Sequence, residues 1–205
     1  MVSAPTPQER RKEQTRRDII ETARQMIVAQ GVSGFSLRAL ADNIDYTPGA
    51  LYKYFESKEA MIDAVRRECF NGLNAFIAEH VHASANAEEM LLNGGLAYIE
   101  YASLHSQEYH LMFNMESSNA TTGEERKQAM LALMHIVQAG TAQGYFIETE
   151  EYDSQTIASH CWATVHGIAS LQATILIDET RDPLALSRTI LKKVIEGFRS
   201  PHNEA

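Results

Sequence analysis

Apolar positions recur along this chain at helical spacing almost throughout. Leu37, Leu40, Ala41 and Ile44 fall at i, i+3, i+4 and i+7, which places them on one buried face. Ser36 stands just before them, where its hydroxyl can accept from an otherwise unpaired amide. Asp45-Tyr46 forms a turn. Thr47-Pro48 then restarts a helix with a capping hydroxyl and a proline at the first helical position. Leu51, Tyr54 and Phe55 share one side of this second helix, leaving Gly49, Ala50, Tyr52 and Lys53 on or near the other.

The same period predicts the other elements. A first helix covers about Glu13 to Gln30, with Ile20, Ala23 and Ile27 inward and Gly31 as its stop. Ser57 caps a helix to about Val81, carrying Met61, Val65, Cys69, Leu73 and Phe76 in one stripe. Asn86 with Glu89 opens a helix to about Leu104, in which Gly94-Gly95 reads as a weak point. A short helix over Glu108 to Met115 and a loop at 117–123 lead into a helix over Glu124 to Gln143. The last pair spans Ser154 to Ile177 and, after the turn Asp178-Glu-Thr-Arg-Asp182, Pro183 to about Arg199. With few runs alternating at period two, the expected fold is all-α, with about nine helices.

Two helices crossed through a tight turn form a helix-turn-helix, whose second helix enters the DNA major groove. The outward face suits that role. Gly49 and Ala50 are small, Tyr52 offers a hydroxyl, Lys53 and Lys58 can reach phosphates, and the helix start adds its own amides. Periodicity alone fits a plain helical hairpin equally well. The residues Thr47-Pro-Gly-Ala-Leu-Tyr-Lys-Tyr-Phe-Glu-Ser-Lys58 and the following Glu-Ala-Met61, with Ser36-Leu37-Arg38 and Leu40-Ala41 upstream, resemble the DNA-binding domain of the tetracycline-repressor (TetR) family over roughly residues 14 to 70. Asp45 departs from the glycine usual in that turn; aspartate tolerates the left-handed region better than most residues. The resemblance implies phosphate contacts from Arg38, Thr47, Tyr54 and Lys58, and a groove-facing set of Pro48, Gly49, Ala50, Tyr52 and Lys53. It also implies a dimer built on the last two helices, binding a palindromic double-stranded operator.

Charge sharpens the picture. The net charge of −9 would disfavour DNA, but residues 1–58 hold nine Lys/Arg against seven Asp/Glu, and residues 59–205 hold nine against twenty. The halves carry +2 and −11, so a small basic head sits on an acidic body. Three regions follow: a flexible basic arm at 1–12, a DNA-binding domain at 13–58, and a ligand-binding and dimerisation domain at 59–205. No run reaches 18 apolar residues, there is no apolar signal core, and two cysteines fit a reduced cytoplasm. The expectation is a cytoplasmic protein without membrane contact.

The body is rich in Tyr, His, Met and Phe. Trp162, His166 and Gly167 resemble the Trp-His-Gly class of C-terminal domain in the same family, and Trp162 and His166 are i and i+4 on one face. Given that resemblance, Tyr98, Tyr101, His105, Met112, Phe113, Met134, Trp162 and His166 are the expected lining of a pocket for an unknown small-molecule effector. Aromatic and Met residues at helical spacing also serve as ordinary core. No Cys-x-x-Cys, His-Glu-x-x-His, Gly-x-Ser-x-Gly or phosphate-loop motif appears, so neither metal, cofactor nor enzyme activity is expected. The competing reading is a dimeric helical ligand-binding or interaction module without specific DNA binding.

Overall fold

Local capping sets where the helices begin. In the computed structural model, which describes residues 5–82, 84–113, 123–174 and 182–201, nine α-helices and one isolated β-bridge are found among the described residues. Residues 117–122 of the expected 117–123 loop, most of the turn before Asp182, Met115 and Ile175–Ile177 lie outside them.

The chain divides into two units: Met1–Cys69 with His110–Thr122, and Phe70–Tyr109 with Gly123–Ala205. The first unit contains α1 (Pro7–Gly34), α2 (Leu37–Asn43), α3 (Pro48–Leu51) and the start of α4 (Lys58–His82). Helix α1 begins six residues earlier than the expected Glu13. Thr6 and Glu9 form a capping box, Glu9 N–H donating to Thr6 Oγ1 at 3.3 Å and Thr6 N–H to Glu9 Oε2 at 2.6 Å, and Pro7 occupies the first helical position. Arg10, Arg11 and Lys12 are therefore helical, which corrects the flexible arm from Pro7 onward. At Gly31 the backbone leaves helical values (φ 74°, ψ 166°) before one more turn to Gly34. Ile19, Ile20, Ala23, Ile27, Phe35, Leu40 and Leu51 are buried in this unit.

The second unit packs α5 (Ala87–Leu104), α7 (Gly123–Ala142), α8 (Ser154–Thr174) and α9 (Pro183–Glu196) against one another. Helix α6 (Ser106–Phe113) lies across the division, which falls between Tyr109 and His110. Asn86 Oδ1 accepts from Glu89 N–H at 2.9 Å, while the Glu89 carboxylate accepts from Ala85 N–H at 2.8 Å, one residue ahead of a standard capping box. Gly94-Gly95 is no weak point. A Cβ on Gly95 would stand 3.0 Å from Leu191 and 3.2 Å from Val165, so the glycine lets α5 lie close to α8 and α9. After α9, the Phe146–Arg199 bridge, Ile147 N–H to Phe198 O at 3.0 Å and Ser200 N–H to Tyr145 O at 2.8 Å tie the chain end to the segment before α8. Leu191, Ile195 and Phe198 are buried on this unit's own core.

Candidate nucleic-acid interface and the polar clusters of the body

In the first unit, two hydroxyl caps and one left-handed residue shape the turn. Ser36 Oγ accepts from Ala39 N–H at 3.1 Å, and Thr47 Oγ1 from Ala50 N–H at 3.2 Å. Between them Asp45 adopts φ 57°, the one positive-φ residue other than glycine among those described. Its conformation lets Tyr46 N–H fold back onto Ala41 O at 2.9 Å. Helix α3 is only four residues long, shorter than the expected run to Phe55. Beyond Leu51 the bonding tightens, Tyr54 N–H reaching Leu51 O at 2.9 Å, so residues 52–54 form a turn. Such a short helix has little dipole, and the Ala50 amide that phosphate contact would need is already capped by Thr47.

Leu51 and Phe55 are buried under this turn, whereas Pro48, Gly49 and Lys53 are exposed and Tyr52 is 57% exposed. A Cβ on Gly49 would meet nothing within 4 Å. Ala50 and Tyr54 are half-buried, and Arg38 and Thr47 are exposed. Lys58 is half-buried, with its Nζ 5.8 Å from the centre of the Phe35 ring, so its stem serves the fold as well as its charge. Lys12 and Arg16 of α1 line a shallow groove with Glu9, Glu13, Lys53 and Tyr54, and the Arg16 guanidinium lies 5.1 Å from the Phe55 ring centre. The place of Lys12 beside Lys53 was hidden in the sequence by the expected flexible arm at 1–12.

In the second unit, five of the eight expected ligand residues fall into two polar clusters. Tyr98 Oη stands 2.9 Å and Tyr109 Oη 2.8 Å from His166 Nδ1. Trp162 stacks on the His166 ring at 5.2 Å and 17°. Burial, reinforced by the neighbouring Tyr109, pushes the Tyr98 hydroxyl above its usual range, and burial does the same to Tyr109, so both are neutral donors or acceptors. A hydroxyl donating to Nδ1 leaves the neutral ring's proton on Nε2. In the other cluster Tyr101 donates to the buried Glu108 carboxylate at 3.0 Å and stacks on His105 at 4.3 Å. Met134 packs instead against the apolar cluster around Val137 and Ile157. Met112, fully buried, and Phe113, half-buried, belong to the first unit. Tyr109 was missing from the expected set because α6 alone does not reveal which neighbour its hydroxyl reaches. Burial pushes the Cys161 thiol up to about 12, so it is no reactive thiolate at neutral pH. Among the described residues no group of three His, Cys, Asp or Glu is placed to hold a metal ion, and no helix is long and apolar enough to cross a membrane.

Two family models cover most of the chain. Residues 19–65 match "Bacterial regulatory proteins, tetR family", and residues 91–193 match "Tetracyclin repressor-like, C-terminal domain". The chain belongs to the tetR family. It is a DNA-binding transcriptional regulator. It is similar to the HTH-type transcriptional repressor KstR2 of Mycobacterium tuberculosis, at 24% identity over 64% of this chain and 68% of that protein. KstR2 of Rhodococcus jostii is 20% identical over 99% of this chain and 100% of its own. Among solved structures, a Rhodococcus sp. RHA1 protein of unknown function superposes with a TM-score of 0.80 at 26% identity, covering 89% of this chain and 94% of that one. The two KstR2 relatives are transcriptional repressors.

Proposed function

We propose that this TetR-family protein is a cytoplasmic repressor that binds a palindromic operator as a homodimer and leaves it when a small molecule occupies the body. The observation that carries the reading is the outward surface of the turn and α3. Pro48, Gly49, Tyr52 and Lys53 stand free on a scaffold whose inner residues, Leu51 and Phe55, are buried. Ala50 completes the face directed to the groove. Arg38, Thr47, Tyr54 and Lys58 flank it and are assigned to phosphates.

The dimer is assigned to α8 and α9. Trp162 and Leu171 on α8, with Leu184 and Ile190 on α9, are large exposed apolar residues. Space around Gly167 is open, as a close helix approach from a second copy requires. Two recognition elements in such a dimer read half-sites about 34–36 Å apart. The effector site is assigned to the Tyr98, Trp162 and His166 cluster with Tyr101 and His105 nearby on α5 and its end. Met112 and Phe113, in the first unit, and Met134, packed on the Val137 and Ile157 cluster, are not assigned to it.

Lys58→Ala separates positioning from base reading. The expected result is a roughly equal loss of affinity for all DNA sequences, with a salt slope shallower by about one unit. A loss confined to the operator would move Lys58 onto the bases.

A further inference from the structure

Arg16 stands at the same spacing from Glu13 as Arg24 from Glu21 on α1, but only Arg24 uses it. Arg24 Nη2 meets Glu21 Oε1 at 2.7 Å, three residues away. Glu13 stands three residues before Arg16, yet the Arg16 guanidinium lies over the Phe55 ring, 5.1 Å from its centre. Among the described residues, neither Arg16, Lys12 nor Lys53 has a carboxylate at ion-pair distance. All three line one groove with Glu9, Glu13 and Tyr54. Lys12 and Arg16 are i and i+4, so they reach it from one face of α1, while Lys53 and Tyr54 come from the turn after α3. Glu9 is already committed, its Oε2 accepting Thr6 N–H at 2.6 Å in the cap of α1. Stacking fixes the guanidinium plane on Phe55 and leaves its N–H edge available, which suits a bidentate contact to phosphate.

We infer that this groove is a backbone-phosphate site, in which Lys12 and Arg16 hold a phosphodiester of the operator beside the recognition turn and Glu13 weakens the hold. The inference rests on the DNA reading of the turn given above and extends that surface onto α1. Three cations against two carboxylates leave the groove one net positive charge, the complement of a single phosphodiester. Lys53 and Tyr54 belong both to the groove and to the turn, so an anion held there lies next to the strand that the turn faces. Phosphate contacts carry no base information, so the groove adds affinity and fixes register without choosing sequence. Glu13 lines the same groove without a cation of its own, and its repulsion of the phosphate keeps that affinity moderate.

The test uses the full chain and duplex DNA near physiological salt. Lys12→Ala should select the same palindrome as the wild type, bind operator and random duplex more weakly by the same factor, and lower the salt slope by about one unit. Glu13→Gln should do the opposite to affinity, tightening both duplexes alike. Replacing operator phosphates one at a time with neutral methylphosphonate then locates the contact. One position in each half-site should cost the wild type affinity and cost nothing in the Lys12→Ala, Arg16→Gln double variant. The absence of such a position, an unchanged salt slope in Lys12→Ala, or weaker binding by Glu13→Gln overturns the inference. So does competition by inorganic phosphate at constant ionic strength that Lys12→Ala abolishes, because the groove would then be a site for the free anion. Arg16 also packs on Phe55, so if Arg16→Gln does not fold, the phosphate scan is read against Lys12→Ala alone. If the wild type selects no palindrome, the reading of the turn fails, and the salt slope of Lys12→Ala on random duplex alone decides the groove.

Discussion

Asp45 shows how a single dihedral places the residues proposed to read DNA. Its φ of 57° closes the turn between α2 and α3 and brings Tyr46 N–H back to Ala41 O. A side chain without a local hydrogen-bonding group holds this conformation at a cost of about 1–2 kcal/mol. Asp45→Ala should therefore lower stability by about 1 kcal/mol in urea unfolding, while Asp45→Gly should be neutral or slightly stabilising; an unaffected Ala variant would show the turn to be unstrained. This position was legible from the sequence because capping and turn chemistry are local. Ser36, Thr47, Ser57 and Asn86 all accept the amide bonds that their identities foretell. Gly94 and Gly95 were not legible. Both are glycines in an apolar helix, and only the side chains of Ile77, Val81, Val165 and Leu191 reveal that they mark close approach.

At the scale of elements, helix existence was readable from a period of about 3.6 and helix length was not. Helix α1 starts early because Thr6-Pro7 and Glu9 outcompete disorder with a complete capping box. Helix α3 stops early because its bonding tightens after Leu51. The Phe146–Arg199 bridge leaves no periodic mark in a helical sequence. That bridge also bears on the dimer. Removing residues from Pro183 onward would strip Leu191, Ile195 and Phe198 from the core and would not isolate an interface. A sharper test places charge on the outward face, at Leu184 (38% exposed) and Ile190 (36% exposed). The pair Leu184→Glu and Ile190→Glu should leave unfolding within about 1 kcal/mol of wild type, allowing about half for each surface site, yet sediment as a monomer and lose operator affinity. A folded dimer carrying both charges would move the seam away from α9.

Across the whole molecule, the charge split is the feature that composition alone conceals. A net −9 hides a head of +2 on a body of −11, and the basic side chains Lys12, Arg16 and Lys53 converge on one groove beside the recognition turn. The family was legible from the short motif between Thr47 and Lys58, whose residues build the turn and α3. The effector was not, because Tyr98, Tyr109, Trp162 and His166 come from three helices whose mutual placement no local pattern encodes. The most direct measurement is selection of a random-sequence duplex library by the purified protein near physiological salt, alongside Gly49→Leu. The wild type is expected to recover one palindrome with half-sites a helical turn apart, and Gly49→Leu to fold normally but lose it, since that position is open until DNA arrives. Recovery of no preferred sequence by wild-type protein, or of the same palindrome by Gly49→Leu, would contradict a recognition surface built on α3.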